Sequence, residues 1–168
     1  MKVLVAVASR HGSTREIGEA IAGMLRETGH DVVVAAPDDV TSLRHYDAVV
    51  LGSCVYVGRW NADARSMVER LGPSLAARPL WLFSSGPVGG PLVPEGEPED
   101  VAEFLTRLGA RGHRTFAGRI DRTRLSLAER AVAALLQAPD GDFRSWAEIR
   151  DWGRAIGLAL AEERVRAS

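Results

Sequence analysis

Cysteine is almost absent from this chain: Cys54 stands alone among 168 residues, so no internal disulfide can form and the fold depends on burial. A net field is missing as well. The 21 basic and 22 acidic residues nearly cancel, which leaves no bulk attraction for a nucleic acid backbone or an anionic membrane, and partners must be read from sites. No nucleic-acid partner is therefore expected. Lysine is scarce and nearly every basic residue is arginine, a bias to which we assign no mechanistic weight. Long apolar runs are also lacking. The opening MKVLVAVAS breaks into a polar loop too soon for a signal peptide or a spanning helix, so a cytoplasmic protein is expected.

What is present is enough apolar residue, 46%, for one well-buried core in a chain too short for two ordinary domains. Residues 1–168 are read as a single domain. Short runs of valine, leucine and alanine alternate with segments of helical spacing. Strands are expected at Val3 to Ala8, Asp31 to Ala36, Tyr46 to Gly52, Leu80 to Ser84 and about Arg114 to Ile120. Between them come helices from about Thr14 to Glu27, from Ala64 to Leu71, and from EPED, with Pro98 in its first turn, to about Leu108. Because these strands are apolar almost throughout, they should be buried on both faces, as in a parallel sheet covered by helices. The expected fold is a doubly wound α/β sandwich. Two capping boxes follow, Ser126 with Glu129 and Ser145 with Glu148; they open an extra helix, LSLAERAVAALLQ, and a final helix, WAEIRDWGRAIGLALAEE.

In an open parallel sheet, ligands collect at the carboxyl ends of the strands, which here carry SRHGST, SCVYVGRW and SSGPVGG. The first loop brings backbone N–H groups, a helix N-terminus and the hydroxyls of Ser9, Ser13 and Thr14 together, with Gly12 allowing close approach, and this suits a phosphate. The other reading is a polar turn with a serine cap. No lysine follows the glycine and Gly12 stands alone, so neither the Walker loop nor the dinucleotide fingerprint applies. In the second loop Tyr56 and Trp60 flank a glycine where exposed rings could stack on a planar ligand. The third is small and glycine-rich, so its backbone can reach a ligand's polar rim. Phosphate, stacking ring and backbone-read rim together fit flavin mononucleotide (FMN).

The order of elements and these three segments resemble the flavodoxin fold and its three FMN loops. The resemblance implies a flavodoxin-like five-stranded parallel sheet of order 2-1-3-4-5, with helices on both faces and an extra helix between strand five and the last helix. The stretch Asp121 to Gln137, followed by GDFRSW, is further similar to the FMN-dependent, menaquinone-dependent protoporphyrinogen oxidase branch. By that resemblance Ser9, Arg10, His11, Gly12, Ser13 and Thr14 hold the phosphate. Ser53, Cys54, Val55, Tyr56, Val57, Gly58 and Trp60 line one face of the isoalloxazine. Ser84, Ser85, Gly86, Pro87, Val88, Gly89 and Gly90 contact its pyrimidine side. Two departures stand out: a phosphate loop carrying Arg10 and His11, and a third loop with no aromatic to cover the second flavin face. Arg10 either points to solvent or neutralises a phosphate or a substrate carboxylate.

A one-electron shuttle needs a low flavin potential, helped by aromatic sandwiching and surplus negative charge. With a net charge of −1 and an open flavin face, an FMN oxidoreductase with a small-molecule redox substrate or a quinone as partner is favoured. A flavodoxin-type shuttle to a redox partner protein is the alternative, and a flavin-free scaffold the third reading. No catalytic residue is compelled. In the helix Leu125 to Leu136, Leu125, Leu127, Ala128, Ala131, Val132, Leu135 and Leu136 share one side, which is expected to pack on its own domain. The competing readings are a greasy substrate pocket, a homodimer contact or peripheral membrane contact, the last opposed by Arg130 being the helix's only positive charge. Cys54 reads as a small buried hydrophobe. The four histidines have no second ligand at metal spacing, so no metal is proposed.

Overall fold

The computed structural model describes residues 1–56, 58–86, 98–135 and 140–166. Five strands lie parallel: β1 (Lys2–Ala8), β2 (Asp31–Ala35), β3 (Ala48–Tyr56), β5 (Leu80–Ser85) and β6 (His113–Phe116), in the spatial order β2-β1-β3-β5-β6. That is the expected 2-1-3-4-5 arrangement; only the label changes, because β4 (Arg59–Trp60) folds back antiparallel on the end of β3. A separate two-stranded ribbon joins β7 (Arg119–Ile120) to β8 (Gly141–Asp142).

Both faces of the sheet are buried, which is why its strands are continuously apolar. Successive side chains of β1 go to opposite layers. Leu4, Ala6 and Ala8 join Leu51, Met67, Val68 and Phe104 beneath α2 (Ala62–Ala76) and α3 (Glu99–Leu108). Val3, Val5 and Val7 join Ile17, Ile21, Phe83, Ile149 and Ile156 beneath α1 (Ser13–Glu27) and α5 (Trp146–Arg166). Trp152 closes that second layer, edge-on to Phe83 and Phe116 at 6.2 and 5.7 Å. The expected helix at Ala64 to Leu71 is longer than its apolar spacing implied, and it runs through Pro73 in its last turn.

One expected strand is divided. Arg114 to Ile120 does not run through: β6 ends at Phe116, and the chain leaves the sheet at Gly118, where a Cβ would stand only 3.2 Å from the Gly86 Cα. The two backbones touch there, and β7 pairs with β8 instead of β5. The extra helix, α4 (Leu127–Leu135), follows this ribbon. Its capping box is formed in both directions: the Ser126 N–H donates to Glu129 Oε2 at 2.8 Å and the Glu129 N–H to Ser126 Oγ at 3.3 Å.

Candidate functional site

The carboxyl ends of β1, β3 and β5 lie side by side, with Ala8 paired to Ser53, Ser53 to Ser84 and Cys54 to Ser85, so the three loops leave the sheet from adjacent positions. The first is built for an anion. Gly12 has φ +89°, a conformation that L side chains rarely adopt, and it starts α1 without any side chain capping the helix. Its N–H donates to the Ser9 Oγ at 3.1 Å, and its carbonyl accepts the Glu16 N–H at 3.0 Å. Thr14 is buried, and the Ser13 hydroxyl is buried with no hydrogen-bond partner among the described residues. An uncapped helix start beside an orphaned hydroxyl is the chemistry of a phosphate site. These residues fit a phosphorylated ligand at this end.

The two basic side chains of the loop do not point into it. Arg10 Nε lies 3.2 Å and His11 Nε2 3.0 Å from the same oxygen of Glu129, on α4. Arg10 Cζ also rests 5.2 Å from the centre of the Tyr56 ring. The Ser126 backbone N–H first, then the Ser126 and His11 side chains, hold the Glu129 carboxyl down at about 2. Glu129 is thus an anion at any ordinary pH. Arg10 is half-exposed and bound to the Glu129 carboxylate and an aromatic face.

In the second loop the chain reverses between Tyr56 and Arg59, with Gly58 at φ +74°. Tyr56 is half-buried at the site, and burial pushes its phenol up to about 12. Trp60, expected as an exposed stacking ring, is instead turned into the core at 2% exposure. Its ring meets the edge of Phe104 at 5.6 Å, its Nε1 donates to Ser84 Oγ at 2.8 Å, and its backbone N–H donates to Asp100 at 3.0 Å. The reason is β4: pairing Val55 with Trp60 sends that side chain to the α3 face. Trp60 acts as a strut between the second and third loops. His113, which sequence spacing left unassigned, extends it, with Nε2 2.8 Å from Ser84 Oγ. Ser53 is equally internal, its hydroxyl donating to the Cys54 carbonyl and accepting the Asn61 N–H, each at 2.9 Å. Cys54 is buried, and burial pushes its thiol pKa up, so it sits as a small apolar side chain beside the site.

The third loop is described only in part. Ser84 and Ser85 are buried strand residues, and Gly86 at φ +84° turns the chain, its N–H donating to the Phe116 carbonyl at 3.1 Å. Pro87, Val88, Gly89 and Gly90, like Val57 of the second loop, lie outside the described residues.

Two features were not predicted. Arg144, its side chain 2% exposed, donates to the Ser13 carbonyl at 3.1 Å and pairs with Asp142 at 2.6 Å and Glu16 at 2.8 Å, tying the segment before α5 to the first turn of α1. The Asp142 carboxyl is lowered by the hydrogen bond from Arg144. GDFRSW held this signal as an acid two residues before an arginine, but nothing in the sequence named Glu16 as the third partner. The second feature is the packing of α4, whose expected inward side is exposed at Leu127, Ala128, Ala131 and Leu135 while Leu125 lines the cleft. Glu129 and Ala133 face the domain, whereas Leu127 and Leu135 are 84% and 82% exposed. The ionic grip on Arg10 and His11 fixes the helix's rotation, and the leucine side is left outward. Leu136 and Gln137 lie outside the described residues. Among the described residues, no helix is long and apolar enough to cross a membrane.

The chain belongs to the flavodoxin-domain family: the family model described as Flavodoxin domain matches residues 4–145. Within that class it is similar to protoporphyrinogen IX dehydrogenase [quinone] of Escherichia coli (strain K12), 29% identical over 86 residues. That alignment covers 50% of this chain and 48% of the relative, so it spans about half the length of each. Among solved structures, a flavodoxin from the domain Archaea superposes with a TM-score of 0.63 at 19% identity, covering 96% of this chain and 99% of that one. Rubredoxin oxygen:oxidoreductase from Desulfovibrio gigas gives 0.65 at 15% identity, covering 96% of this chain and 36% of that one. Both likenesses establish the fold.

Proposed function

We propose that the protein is an FMN-dependent oxidoreductase that binds the flavin phosphate on Ser9–Thr14 and seats the ring beside Tyr56. The observation that carries this reading is the first loop: an uncapped α1 start at Gly12 next to the orphaned Ser13 hydroxyl, in a chain of the flavodoxin-domain family. When bound, FMN supplies the redox chemistry, accepting and passing on electrons. The chain's own part is to hold the phosphate, orient the ring and set its potential.

Enzyme is favoured over shuttle on two grounds. With Trp60 in the core, Tyr56 is the one aromatic that the second loop offers the ring, and SSGPVGG offers none, so one flavin face stays open to a substrate or quinone. Arg10 then places a positive charge beside that ring, which favours the anionic reduced flavin and opposes the low potential a shuttle needs. Oxidation of a porphyrinogen with a quinone as acceptor is the finer proposal, supported by the name of the relative and by α4, which stands between β7 and α5. A cytoplasmic location belongs to the same proposal.

The test is a visible absorption spectrum of the purified full chain before and after adding FMN, with photoreduction on the same sample. A bound-flavin spectrum with little semiquinone is expected. A protein that ignores added FMN overturns the flavin reading, and a strongly accumulating semiquinone moves the assignment to an electron-transfer flavodoxin.

A further inference from the structure

The loop that should receive a dianion has both its own basic side chains, Arg10 and His11, turned away onto Glu129. Acids crowd the same end of the sheet: Glu16 in the first turn of α1, Asp121 in the ribbon segment and Glu129 on α4. Arg119 is engaged by Asp121 at 3.1 Å, and Arg144 by Asp142 and Glu16. A phosphate held by N–H groups and hydroxyls alone would sit among carboxylates with no cation committed to it.

Arg124 is placed to supply one. It comes from the segment between β7 and α4, and its Nη1 donates to the His11 carbonyl at 3.3 Å. The same nitrogen lies 3.7 Å from where a Cβ on Gly12 would stand, so the guanidinium arches over the glycine that opens α1. Its Nε is 3.4 Å from Asp121 Oδ2, and among the described residues Nη2 has no partner. Arg124 and Ser13 line one cleft with His11, Arg119 and Asp121. Ser13, whose buried hydroxyl has no partner among the described residues, and a guanidinium with unused donors therefore line one cleft at an uncapped helix start.

We propose that Arg124 is a phosphate-contacting specificity residue, through which the segment before α4 makes the site select the phosphorylated flavin over the unphosphorylated one. This rests on the flavin reading above and assigns it a residue outside the three loops. Riboflavin, lacking the dianion, has nothing for Arg124 to bind.

The test titrates FMN and riboflavin into the flavin-free full chain, following flavin fluorescence, for the wild type, R124Q and R124K. The expected result is FMN binding weakened by about 10-fold or more in R124Q, as for loss of a hydrogen bond between charged groups. R124K should recover part of the loss by charge alone, and the riboflavin constant should move by less than about twofold, well below the effect of a charged hydrogen bond. FMN binding unchanged in R124Q overturns the assignment. So does an equal loss for both flavins, which would make Arg124 a prop for its segment, and so does a wild type that binds the two flavins equally. A wild type that binds neither flavin removes the flavin reading itself, whereas a loss confined to the variants speaks only of Arg124.

Discussion

Glu129 and His11 meet at 3.0 Å although 118 residues separate them, and through this pair α4 is fastened over the loop that opens α1. The contact lies on one side of the helix only, where Glu129 also meets Arg10 at 3.2 Å. It explains why the leucine face, the more obvious docking surface by sequence, is the one left outside.

The Ser126 N–H first, and the Ser126 and His11 side chains after it, give Glu129 and so α4 an acid sensitivity whose sign is fixed. The Glu129 carboxyl is lowered from 4.5 to about 2, so the docking it contributes is fully present above about 4.5 and is lost as pH falls toward about 2. Hydrogen exchange of the α4 amides should show protection in the wild type that E129Q lacks at neutral pH, the difference closing in acid. Gln keeps the capping box, whereas E129A removes it as well and should cost about 1 kcal/mol more. Equal protection in wild type and E129Q at pH 7 would mean that the ionic grip does not hold the helix.

Tyr56 and Trp60, adjacent in the sequence argument, should behave oppositely. Y56A is expected to weaken FMN binding with a small change in melting temperature. W60A empties a buried site and should cost about 3–5 kcal/mol, read from denaturant unfolding. W60F keeps most of the volume but leaves the Ser84 hydroxyl without the indole donor, at a cost of about 1–3 kcal/mol.

Replacing Arg10 should move a potential more than a stability. R10Q removes the positive charge beside Tyr56, and the flavin reduction potential is expected to fall, by about 30 mV for every 1.4 kcal/mol of attraction lost in a two-electron couple. Redox titration of the FMN-loaded protein checks it; a rise would contradict the placement of the ring beside Tyr56.

Gly52 should tolerate nothing larger. A Cβ there would stand 2.0 Å from the Phe83 ring, which lies across the strand from it, so G52A is expected to cost about 1–3 kcal/mol or more through overpacking. Thermal unfolding of G52A alone and of G52A with F83L separates the clash from a backbone effect, since the smaller residue should restore most of the loss.

L127A and L135A should each change stability by no more than about 0.5 kcal/mol, as expected of side chains that are mostly exposed. A loss of about 2 kcal/mol or more from either, of the size seen for buried leucines, would place the leucine face inward after all.

The sequence by itself determined the five parallel strands, their covering helices and the identity of the loops that meet at the sheet's edge. Those features rest on local patterns: unbroken apolar runs for strands buried on both faces, serine–glutamate caps, and a glycine where β1 gives way to α1. Even the Ser126–Glu129 box was legible, because its partners are three residues apart. Only the tertiary structure decided where the second destination of that glutamate lies, which ring of SCVYVGRW faces the site, and which side of α4 faces in. Each depends on a partner distant in the chain, His11 for Glu129 and Phe104 and Ser84 for Trp60, and so does the contact of Arg144 with Glu16. Hydrophobic period reports what a segment could bury, but an ion pair reaching in from another element can fix its rotation. In α4 the charged grip on Arg10 and His11 set the orientation against the apolar side.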